Sequence, residues 1–124
     1  MRRVALEIGI MNIAGYRFGR IDIDGRTYTS DVVITPERVV DNWWRQQGHN
    51  LAIADLAEAV AAKPAVLVIG TGYFGRMAVS DETRRHLEAQ GIQVREARTR
   101  EAVQDFNRLQ KESTRVVAAL HLTC

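Results

Sequence analysis

Cysteine and proline are nearly missing from the 124 residues, which hold one of the first, Cys124, and two of the second. A lone thiol closes no disulfide within the chain, so the sequence suits a reducing compartment unless the thiol bridges two molecules. With no second cysteine, and with His49, His86 and His121 outside any metal-ligand spacing, no metal site is expected. Long apolar runs are missing as well. None approaches the ~18 residues that cross a bilayer, and Met1-Arg2-Arg3-Val4-Ala5-Leu6-Glu7 meets a carboxylate before a signal-like core develops. The expectation is a cytoplasmic chain without a membrane span. Charge of one sign is scarce: 17 basic against 15 acidic residues leave a net charge of +2. The basic residues are interleaved with acids, as in Arg98-Thr99-Arg100-Glu101, and show no stripe with aromatics between, so nucleic acid is not the expected partner.

What is present looks globular. Hydrophobic residues at 46% and charged residues at 26% are ordinary usage, and the length suits one domain spanning 1–124. The first third reads as β: Ile21, Ile23 and Tyr28 alternate with polar neighbours, and Asp24-Gly25 between them is a strong hairpin signal, because a type I′ turn needs positive φ. Strands near 16–23 and 27–34 follow, the second stopped by Pro36. The segment Val39 to Arg45 fits either a helical stripe or a short twisted strand with Trp43 and Trp44 on opposite faces.

From residue 50 the rhythm alternates helix and strand. Ile53, Leu56, Ala57, Val60 and Ala61 recur at helical spacing, and Lys63-Pro64 stops them. The continuous run Ala65–Ile69 reads as a strand buried on both faces. Gly70–Gly75 follows as a loop, then a helix capped by Ser80 and ended by Gly91, a strand through Ile92 and Val94, and a helix capped by Thr99 with Ala102, Val103, Phe106 and Leu109 on its apolar stripe. Val116–Leu120 closes as another buried strand. Right-handed crossovers make the three strands of this β-α-β-α-β half parallel. Their carboxyl ends then share one edge, where open α/β sheets bind ligands. Gly70–Gly75, Arg98-Thr99 and His121-Leu122-Thr123-Cys124 should meet there.

Several motifs in order carry a family likeness: Tyr16-x-Phe18-Gly19-x-Ile21-x-Ile23, Asp31 with its Val-Val-Ile run, Trp43-Trp44-Arg45 with His49, Leu67 to Gly72, the Gly91 turn, Thr99 with Ala102 to Asn107, and His121 to Cys124. Together they resemble the small α/β proteins that include a mitochondrial complex I assembly factor and the adipogenesis-associated domain protein. The resemblance implies a compact three-layer α/β fold without an established activity or cofactor, an assembly or partner-binding role, and strand rather than helix over 39–45. No mitochondrial presequence is evident, so the organelle role does not transfer with it.

The candidate chemistry is sparse. Gly70-Thr71-Gly72-Tyr73-Phe74-Gly75 matches G-x-G-x-x-G, yet Met77-Ala78-Val79 intervenes before the helix cap, and a plain glycine turn is the better reading, with no cofactor. Its amides remain a candidate anion cradle. His121 and Cys124 resemble a base and nucleophile, but a spacing of three in an extended tail puts them on opposite faces, and a terminal carboxylate beside the thiol would oppose thiolate formation. Arg45 and His49 flank the Trp pair, where an Arg fork beside an indole can hold a carboxylate; the Trp pair itself reads as core or a subunit contact in a homo-oligomer. The leading function is a non-enzymatic domain that binds a protein partner. The alternative is a small-anion binder or enzyme lined by Arg45, His49, Gly70, Thr71, Gly72, Thr99, His121 and Cys124.

Overall fold

A computed structural model describes residues 11–112 and 115–124; the expectation drawn from Met1–Glu7 lies outside them. A three-stranded antiparallel sheet comes first, β1 (Ile13–Arg17), β2 (Arg20–Ile23) and β3 (Arg26–Tyr28). The Asp24-Gly25 hairpin is present, with φ of 50° and 81° and Ile21 facing Tyr28 across it. A second tight turn at Phe18-Gly19, φ 76° at the glycine, splits the strand expected over 16–23. The expected 27–34 strand is also two. After β3 the chain changes sheet, and β4 (Val32–Ile34) lies antiparallel to the last strand.

The central sheet has the order β5-β4-β10-β7-β9, built on β5 (Val39–Val40), β7 (Val66–Thr71), β9 (Gln93–Ala97) and β10 (Val116–His121). β10 and β9 both run parallel to β7, as the crossover argument requires. β6 (Asn50–Leu51) and β8 (Ala78–Val79) form a small parallel pair beside it. A 3-10 turn at Ile53–Leu56 leads into α1 (Ala57–Ala61), while α2 (Asp81–Ala89) and α3 (Thr99–Gln110) are the two crossovers.

Every residue of β7 and β10 is buried, and successive side chains serve opposite cores. Val66, Val68, Val116, Ala118 and Leu120 meet α3 and the β1–β3 sheet through Phe106, Leu109, Ile21 and Ile23. Leu67, Ile69, Val117 and Ala119 meet the other layer through Leu56, Leu87, Met77 and Trp43. The result is the mixed, three-layer α/β architecture expected, with two apolar interfaces around one sheet.

Three local readings are corrected. The 3-10 turn advances by three residues and rotates the next helix, so Leu56 and Ala59 face the core while Ala57 and Ala61 are exposed. Only Val39–Val40 of the 39–45 segment is strand; Asn42, at φ 54°, turns the chain so that Trp43 enters the core and Trp44 points out, 73% exposed. Ser80 caps α2 as expected, accepting from the Thr83 amide at 3.2 Å, but Thr99 does not cap α3: it is the first helical residue and its hydroxyl is used elsewhere.

Candidate functional site

The carboxyl ends of β7, β9 and β10 do meet, and they are packed shut. Gly70 and Thr71 belong to β7 rather than to a loop. A Cβ on Gly70 would lie 2.8 Å from both Leu120 Cδ2 and Thr99 Oγ1, so close approach, not ligand access, calls for glycine here. Gly72 turns with φ 110°, and a Cβ there would sit 2.5 Å from the Cys124 carbonyl carbon. Thr99 Oγ1 accepts from the Gly72 amide at 2.9 Å and donates to the His121 carbonyl at 2.6 Å, tying all three strand ends together. Thr71 Oγ1 donates to the Ala97 carbonyl at 3.1 Å.

The loop amides go the same way. Tyr73 N donates to Thr123 O, Arg76 N to Cys124 O and Gly75 N to Gly72 O. The amides of Gly72, Tyr73, Gly75 and Arg76 are therefore all spent inside the protein, and those of Tyr73 and Arg76 fix the short tail. Cys124 is a half-buried free thiol, and among the described residues no hydrogen bond joins it to His121.

Behind this knot lies a polar hub that sequence spacing did not reveal. His121 Nδ1 is 2.8 Å from Asp31 Oδ2 and 3.0 Å from Arg45 Nη2. A carboxylate only accepts and a guanidinium only donates, so Nδ1 donates to Asp31 in the tautomer that carries its proton there and accepts from Arg45 in the other. Arg45 reaches the same carboxylate, its Nη1 2.8 Å from Oδ2 though not aligned as a hydrogen bond, and both Nε and Nη2 donate to Gly48 O. The carboxylate that Arg45 was expected to hold is thus internal. Asp31 Oδ1 also accepts from the Leu122 amide at 2.7 Å. Burial works to raise the Asp31 carboxyl, but the hydrogen bonds from His121 and the Leu122 amide, with the Arg45 guanidinium beside it, outweigh it and hold the group below its ordinary value. His49 stays exposed, its ring edge-on to His121 at 5.9 Å between centroids. His121 Nε2 is buried without a partner.

The same edge carries an exposed patch that the residue list missed. Tyr16 OH and Gly19 N both donate to the Leu122 carbonyl, at 2.8 and 2.9 Å, which sets the Phe18 turn beside the Tyr73–Phe74 loop. Burial pushes the Tyr16 phenol up to about 12. Phe18 and Phe74 are 50% and 53% exposed, and the two rings pack at 6.1 Å with Tyr73 edge-on to both. Arg76 lies over Phe74 and Arg100 over Tyr73, at 5.9 and 5.5 Å from the ring centroids. The signal in the sequence was slight: one phenylalanine before a turn glycine and one in a glycine-flanked loop.

A family model described as protein of unknown function (DUF498/DUF598) matches residues 13–121. The fold is similar to that of a conserved hypothetical protein from Pyrococcus horikoshii, 29% identical with a TM-score of 0.77 over 92% of this chain and 100% of that one. It is equally similar to a protein from Bordetella parapertussis, 29% identical, TM-score 0.78, covering 91% and 96% of the two chains. A Mth938-like domain from Bordetella pertussis, 23% identical, shares the fold at a TM-score of 0.67 over 92% and 87%. The likeness read from the ordered motifs holds at this level, a small α/β family of unknown function. Among the described residues no helix is long and apolar enough to cross a membrane.

Proposed function

We propose, for a chain that belongs to the DUF498/DUF598 family of proteins of unknown function, that it is an accessory domain whose work is to bind a protein partner through the Phe18–Tyr73–Phe74 patch. The observation that carries this is two half-exposed phenylalanines packed edge-on against a tyrosine beside guanidinium groups. Aromatic rings and arginine are the residue types that dominate binding energy in protein interfaces. The knot beneath supports the same reading, since a partner site gains from a rigid base. Affinity capture with the purified chain tests it. A protein retained by the wild type and by Trp44→Ser, but lost from Phe18→Ser/Phe74→Ser, is the expected result; a partner held by the phenylalanine double variant overturns it.

A second reading, a small-ligand site or enzyme at the strand-end crevice, draws on one observation, the buried and unpartnered Nε2 of His121. An Asp31–His121 pair with Nδ1 protonated leaves Nε2 as a proton acceptor. Titrating wild type and His121→Phe with small carboxylates, phosphates and amines, followed by amide shifts, tests it: this reading requires shifts around His49 and His121 that the variant loses.

A further inference from the structure

The patch has a charge character that its aromatic core alone does not reveal. Arg76, Arg98 and Arg100 surround Tyr73 and Phe74, and among the described residues none of the three is paired with a carboxylate. Elsewhere on the surface Arg38, Arg84, Arg95, Arg108 and Arg115 are each paired, while among the described residues Arg17, Arg26 and Arg85 form no such pair; what marks the patch is that three unpaired guanidinium groups gather around one aromatic cluster. Tyr73, Phe74, Arg98, Arg100 and Glu101 line a concavity of about 230 Å³. Two of its cations are held by uncharged contacts. Arg100 donates to Tyr73 OH at 3.2 Å, and the Arg98 stem packs so closely on Gly75 that a Cβ there would lie 3.2 Å from Arg98 Cγ.

Resting on the partner-binding reading above, we infer that the patch receives an acidic protein segment, whose carboxylates meet Arg98, Arg100 and Arg76 while an apolar side chain lies on Phe18 and Phe74. A guanidinium has five N–H donors in a planar fork that matches a carboxylate. Only one donor of Arg100 is spent, on Tyr73, so the fork remains available. Single-stranded nucleic acid is the competing occupant, because aromatic rings with arginines also serve bases and phosphates. The geometry disfavours it. Base stacking needs open ring faces, whereas Phe74 and Tyr73 each carry a guanidinium over the face and meet neighbouring rings tilted or edge-on.

Heteronuclear NMR titration of the full chain tests this with three probes: a capped peptide GEELFEEG, its glutamine isostere GQQLFQQG, and an octamer of uridylate. The acidic peptide is expected to shift the amides of residues 18–19, 73–76 and 98–101, and to bind at least about tenfold more tightly than the isostere. Arg98→Glu/Arg100→Glu should remove that preference, and Arg98→Gln/Arg100→Gln should weaken it with a thermal melt unchanged from wild type. Equal affinity for both peptides, no shifts with the acidic one, or tighter binding of the uridylate octamer overturns the inference. Equal peptide affinities that vanish in Phe18→Ser/Phe74→Ser remove the acidic preference and leave the patch; peptide binding unaffected by the double variant removes the patch itself.

Discussion

Two groups of side chains share the carboxyl edge of the parallel strands and use opposite physics. In the hub, charged groups are buried and turned on one another: the Arg45 and Asp31 side chains are 5% and 16% exposed, and Asp31 answers to His121, Arg45 and the Leu122 amide together. In the patch, apolar rings are exposed and three cations go without carboxylates. Burying charge costs solvation and is repaid only within a complete network, so the hub stabilises the tail and offers little to a ligand. Exposed rings leave hydrophobic free energy unspent for an encounter. The tail joins the two, since Leu122 bonds to Asp31 on the hub side and accepts from Tyr16 and Gly19 on the patch side.

The largest effect that sharpens this contrast should come from Asp31→Ala. It leaves the Arg45 guanidinium buried without its counter-charge, and about 3–5 kcal/mol of stability should be lost in urea unfolding. A loss below about 1 kcal/mol would falsify the hub as a structural device. Next is Gly72→Ala, where a left-handed φ of 110° coincides with a Cβ 2.5 Å from the Cys124 carbonyl carbon. Strain and overlap together predict at least about 2 kcal/mol. Gly25→Ala is the control, since nothing lies within 4 Å of its Cβ position; about 1 kcal/mol is expected there. Equal costs at the two glycines would deny the close approach at the knot.

The pH profile gives a smaller signature, and its sign follows from the direction of each shift. Asp31 is held below its ordinary 3.8, so its contribution is whole above that value and is lost as pH falls through the lower folded value. Urea midpoints measured down a pH series should fall below about pH 4 in the wild type more steeply than in Asp31→Asn. Parallel profiles would show that the carboxylate gains nothing from the hub. Tyr16 works at the other end: its phenol is raised to about 12, so its contribution is present below the ordinary 10 and fades as pH climbs toward 12. An ultraviolet titration should show one late-ionising phenol that Tyr16→Phe abolishes. Smallest of all for stability, Phe18→Ser and Phe74→Ser should each stay within about 0.5 kcal/mol of wild type. A cost of several kcal/mol at either would make those rings part of the core and erase the comparison.

The sequence made some of this plain and hid the rest for identifiable reasons. β7 and β10 were legible because a strand covered on both faces must be apolar throughout, and the α3 stripe because Ala102, Val103, Phe106 and Leu109 all face one interface. The phase of α1 was not, since a 3-10 turn shifts the face without altering composition. Thr99 had the right residue type for a cap, but the His121 carbonyl, 22 residues away, took its hydroxyl. Seven of the eight candidate residues, all but His49, do gather at the knot or hub, yet their part there was hidden: Arg45 looked like a free fork until Asp31 was seen to occupy it, and glycines read as an amide cradle are glycines because other atoms stand too close. The patch was least visible, because nothing in composition distinguishes an exposed phenylalanine from a buried one.

Local pattern by itself determined the hairpin at Asp24-Gly25, the two crossover helices and the parallel core strands, because turn sterics and hydrophobic period act over a few residues. Tertiary structure alone decided which polar residues would be spent and which left free. Asp31 and His121 meet across 90 residues and Arg45 and His121 across 76, and at such separations pairing depends on strand register and on the path of the tail, which no local pattern encodes.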